Sequence, residues 1–136
     1  MPGKRDQNIL LEITHHHPHG VPPELFPEAD QTLLSMLGTL EARGWDPQHR
    51  EGASLMHAMR AAPGSLLAHC LARDAIRQTV RRYELVGRWE LSKGRTGGDI
   101  EIGLMGARGW LAANQERLCA AYEAPTTSPE PVGDPA

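Results

Sequence analysis

The chain has no excess of positive charge: its formal net charge is −3. That argues against a surface that binds polyanions indiscriminately, and any nucleic-acid contact must come from a local basic stripe. Cysteine is scarce, with two residues, Cys70 and Cys119, at no paired spacing. A disulfide scaffold is therefore not expected, and a reducing cytoplasm is the expected setting. No apolar run approaches the length a bilayer requires, and the N-terminal residues do not read as a secretory leader, so a soluble cytoplasmic protein without membrane contact is expected. Dinucleotide-binding glycine patterns, P-loops and nucleophile elbows are all missing. With no triad or paired-carboxylate arrangement to name, neither an enzyme nor a cofactor is expected.

What is present suits one compact domain or two very small ones in 136 residues. Residues 1–6 are expected to fray, and 124–136, rich in Pro, Thr, Ser, Glu and Asp, to form a disordered tail. Between them the apolar spacing predicts helices over Gln7–His17, Pro23–Glu28, and from an Asp30 N-cap to a stop at Gly44. Trp45, Asp46 and Pro47 read as a break. Further helices are expected over Arg50–Ala62, Ser65–Leu71 and Asp74–Val86. Leu33, Leu37, Leu40, Leu55, Met59, Leu71, Ile76 and Val80 are the principal core candidates.

The periodicity then changes. Trp89 and Leu91 alternate with Glu90 and Ser92, and Ile100, Ile102 and Leu104 alternate with Glu101 and Gly103. With a glycine-rich tip over residues 93–98 between them, this predicts a β-hairpin buried on one face. A closing helix is expected over Met105–Tyr122. Arg73, Arg77 and Arg81 recur every four residues and share a helix face opposite Ile76, Val80 and Tyr83. Arg82 adds to this basic run, and Lys93 and Arg95 lie at the hairpin tip.

The run Ile76-Arg77-Gln78-Thr79-Val80-Arg81-Arg82-Tyr83-Glu84-Leu85-Val86-Gly87 resembles the recognition helix of winged-helix transcription regulators. Ile102-Gly103-Leu104-Met105-Gly106-Ala107-Arg108-Gly109-Trp110-Leu111 resembles their exit from the wing into the last helix. The resemblance spans roughly residues 50–122. It implies a mainly α winged helix-turn-helix with one β-hairpin over 48–123, and a homodimer that binds duplex DNA. Arg73, Arg77, Gln78, Thr79, Arg81 and Arg82 would then meet the DNA from the helix, and Lys93 and Arg95 from the wing.

An internal repeat sets Leu33, Leu37, Leu40, Glu41 and Gly44 beside Ile76, Val80, Tyr83, Glu84 and Gly87. Residues 7–47 are accordingly expected to form a degenerate second helix-turn-helix, whose weakly basic surface suits a protein partner. Two other readings stay open. The arginines of 73–82 also fit a solvated face paired with Asp74 and Glu84. The chain as a whole also fits a protein-interaction module, or an inhibitor of a larger nucleic-acid-processing complex. His15, His16, His17 and His19 read as a solvated helix end, and Cys70 beside His69 as a helix packing inward. No metal site is expected at either. Trp45, Trp89 and Trp110 are expected as core anchors.

Overall fold

The computed structural model describes residues 11–80, 90–91, 94–120 and 122. Within them lie α1 (Ile13–His16), α2 (Leu25–Arg43), α3 (Leu55–Ala61), α4 (Leu66–Val80) and α5 (Gly97–Cys119). The long helices form the body: α4 packs on both α2 and α5, α2 also packs on α5, α3 lies on α2 and α1 on α4. Leu33, Met36, Leu71, Ile76, Ile100 and Leu104 are fully buried at their shared centre. Residues from both the 7–47 and the 48–123 stretch contribute to this one core.

Two pairs of expected helices are single helices. Pro27 does not break α2, because it sits in the first turn, where the backbone N–H groups have no intrahelical acceptor in any case. Asp30 is thus an interior residue rather than an N-cap. Ala72 and Arg73 likewise continue α4 where a turn between two helices was expected. No residue there lowers helical propensity enough to stop the chain. Among the described residues neither expected helix-turn-helix is formed.

The expected β-hairpin is also overturned. Glu90 is helical, residues 97–119 are one helix, and the described residues contain no strand, only an isolated bridge between Trp45 and Ala53. The winged-helix reading falls with its wing; the mainly α class stands. The cause is visible in the start of α5. Thr96 Oγ1 accepts from Asp99 N at 3.1 Å and Asp99 Oδ2 accepts from Thr96 N at 3.0 Å, a reciprocal cap. Ile100, Leu104, Ala107 and Leu111 then follow at helical spacing, and all four are buried.

Other punctuation matches expectation. Gly44 ends α2 with φ of 80°, a conformation that costs glycine little, and its N–H reaches Leu40 O at 2.7 Å. The Asp46 carboxylate accepts from Gln48 N, Arg50 N and Glu51 N at 2.8–2.9 Å, which organises the turn into α3. These bonds hold its carboxyl below the usual range.

Candidate functional site

Of the predicted DNA contacts, Arg73 and Arg77 are engaged within the protein. Arg73 forks onto Glu12, with Nε to Oε2 at 3.2 Å and Nη2 to Oε1 at 2.9 Å. Arg77 Nη1 stands 3.6 Å from Asp74 Oδ1, and its side chain is only 13% exposed. Asp74 is fully buried and accepts the backbone N–H groups of Glu12 and Ile13 at 2.7 and 2.8 Å. The two arginines therefore help clamp α1 to α4. Thr79 is half-buried toward α5: a methyl added to Gly106 would lie 2.6 Å from its Cγ2. Gln78 is half-buried too. Arg95 stands 3.9 Å from Asp99 beside the α5 cap. Arg81, Arg82 and Lys93 lie outside the described residues, as do Trp89 and Ser92 of the expected first strand.

His57, His69 and Cys70 do not converge on one site. His69 Nε2 lies 3.2 Å from both Ala62 O and Pro63 O, His57 turns to Arg43, and Cys70 is buried beside Arg73. Burial pushes the Cys70 thiol up. Among the described residues no three His, Cys, Asp or Glu side chains could together hold a metal ion.

Two surface features are left. The first is a groove between α2 and α5. Its middle is a depression of about 680 Å³ walled by Leu37, Glu41, Glu101, Ile102, Met105 and Gly106. It runs one way into a smaller hollow against Leu40 and Trp45, and the other way into one of about 670 Å³ against Phe26 and Leu111. Ile102 is 72% and Met105 52% exposed. At the Phe26 end the helices are joined by Arg108 and Asp30, with Nε to Oδ1 at 2.8 Å and Nη2 to Oδ2 at 3.2 Å. That pairing raises the Arg108 pKa.

The second feature is a cationic corner where α2 ends against α3. Arg43 Nη1 lies 3.0 Å from His57 Nε2, and the His49 and His57 rings stack with centroids 4.1 Å apart. Desolvation, then the charges of His49, Arg43 and Arg60, pull the His57 pKa down.

Sequence reasoning missed both features. Ile102 was assigned to the buried face of a strand, which hid the groove. The corner gathers residues 43, 49, 57 and 60 through a turn, with no sequence period to mark it.

No protein-family model matches the chain, and no significant match to a curated protein or to a solved structure was found. Among the described residues no helix is long and apolar enough to cross a membrane.

Proposed function

We propose that the chain is an interaction module that docks a protein partner in the groove between α2 and α5. The observation that carries this is the exposure of Ile102 and Met105, one helical turn apart, on a concave seam. Large apolar side chains clustered at a depression mark contact surfaces, because covering them releases ordered water without any rearrangement of the fold.

The test is photo-crosslinking in the cells that make the protein, with p-benzoylphenylalanine in place of Ile102 and, as a control, of exposed Glu51. A discrete protein adduct is expected from position 102 and not from 51, and Met105→Asp should remove it. Equal labelling from both positions, or none from 102, would reject the groove.

The cationic corner favours a second reading, duplex DNA. Arg43 and Arg60 are exposed there, with two histidines beside them. Labelled random duplex titrated at low and then higher salt should show anisotropy that falls by roughly 0.9 log units of affinity per log unit of salt for each phosphate engaged. Arg43→Glu with Arg60→Glu should abolish the signal. Absence of binding at low salt would remove this reading.

A further inference from the structure

Resting on the groove reading, we infer that the occupant is an amphipathic helix of the partner whose apolar stripe is flanked by Lys or Arg. Three observations carry the inference together. Ile102 and Met105 stand at i and i+3 on α5, with Leu37 on α2 lining the same depression, so the seam offers an apolar lane between the two helices. A helix laid in such a lane inserts anchors at i, i+3 or i+4, and i+7. Space is also present: a side chain built on Gly109 would meet nothing within 4 Å. From Ile102 to Ala112 α5 rises about 15 Å, close to three turns of an incoming helix, and the Arg108–Asp30 pair crosses between the walls within that length.

Charge selects the class of helix. At the Trp45 end, Glu41 on α2 and Glu101 on α5 are exposed, and neither forms an ion pair or hydrogen bond with another described residue. At the opposite end Asp30 and Arg108 neutralise each other. The lane therefore carries, among the described residues, two carboxylates without a cationic partner on opposing walls at one end, and their complement is a pair of cations flanking an apolar stripe. A second copy of this chain fits less well. Its own lane presents the same two carboxylates, and its Arg108 is already held by Asp30.

The experiment is selection from a displayed library of three-turn amphipathic helices on the immobilised full chain, with the flanking positions drawn from Lys, Gln and Glu. Lys is expected to be enriched. A selected Lys-flanked peptide should bind in solution roughly tenfold or more tightly than its Glu-flanked counterpart, in keeping with electrostatic selection at a rim. Glu41→Lys with Glu101→Lys should invert that preference and leave the circular dichroism spectrum unchanged, since both side chains are exposed.

Enrichment without charge preference, or for Glu, would overturn the basic class. A library without binders, while the position-102 adduct persists, would overturn the helix and keep the interaction module. Loss of both would end both. Sedimentation as a dimer that Met105→Glu disperses would assign the lane to a second copy and overturn the inference.

Discussion

Asp74→Ala is expected to destabilise the protein by about 3 kcal/mol and to release α1 from the body, because removing one member of a buried charged network leaves the others without partners. The carboxylate binds three groups at once. Its two oxygens take the amides that open α1, those of Glu12 and Ile13, and Oδ1 also faces Arg77. Alanine would strand the two amides, remove one contact of Arg77 and leave a cavity between α4 and α1. Asp74→Asn keeps one acceptor oxygen, so its cost should be smaller. Urea denaturation gives the loss, and proteolysis near Thr14–His17 reports the release of α1. A loss below about 1 kcal/mol would place Asp74 among ordinary surface substitutions and reject the clamp.

The same residue makes stability depend on pH. Burial raises the Asp74 pKa from 3.8 to about 6, against the lowering effect of the Ile13 and Glu12 amides. The folded protein thus holds this proton at pH values where the unfolded chain has released it. The resulting contribution is fully present below the unfolded pKa and is lost as pH rises through about 6. Glu12 acts in the opposite sense. Arg73 lowers its pKa, so its contribution is present above its ordinary value of 4.5 and is lost as pH falls. Stability measured from pH 4 to 7 for wild type and Asp74→Asn separates the two. The difference between them should shrink as pH rises from 4 through about 6 and level off as pH approaches 7. A constant difference would mean that Asp74 titrates like an exposed carboxylate.

Helix content and most of the core were legible because they depend on local periodicity. Leu33, Leu55, Met59, Leu71 and Ile76 are buried as their spacing predicts, and Gly44 stops α2. The pairing of Arg77 with Asp74 was among the readings left open by the sequence, but the fate of Arg73 was not legible. An arginine every four residues describes a face without saying what covers it, and the partner of Arg73, Glu12, lies 61 positions away. The region from 89 to 104 failed for another reason. Ile100, Ile102 and Leu104 satisfy period two, while Ile100, Leu104, Ala107 and Leu111 satisfy the helical period. The longer pattern wins, since it buries four residues on one face and is started by the Thr96–Asp99 cap.

Glu90→Ala is expected to cost about 2 kcal/mol, and Leu91→Ser to change stability by no more than about 0.5 kcal/mol. A hairpin with Trp89 and Leu91 facing inward would give the reverse order. Glu90 is buried, and its Oε2 accepts from Trp45 Nε1 at 2.8 Å and from Leu55 N at 2.5 Å. Burial pushes its carboxyl up, and these donors oppose the shift. The carboxylate thus satisfies an indole and an orphan amide in the first turn of α3, tying residue 90 to the α2–α3 connection. Alanine leaves both donors without a partner. Leu91, 60% exposed, has little burial to lose. The same reversal applies within α5. Leu104→Ala should cost about 3 kcal/mol as a core truncation, while Ile102→Ala should be nearly neutral; a strand buried along one face would make both costly. Denaturation midpoints for these four variants therefore separate helix from hairpin twice, through independent residues. A neutral Ile102→Ala carries a second meaning: a large apolar side chain that the fold does not need for stability is available for a partner.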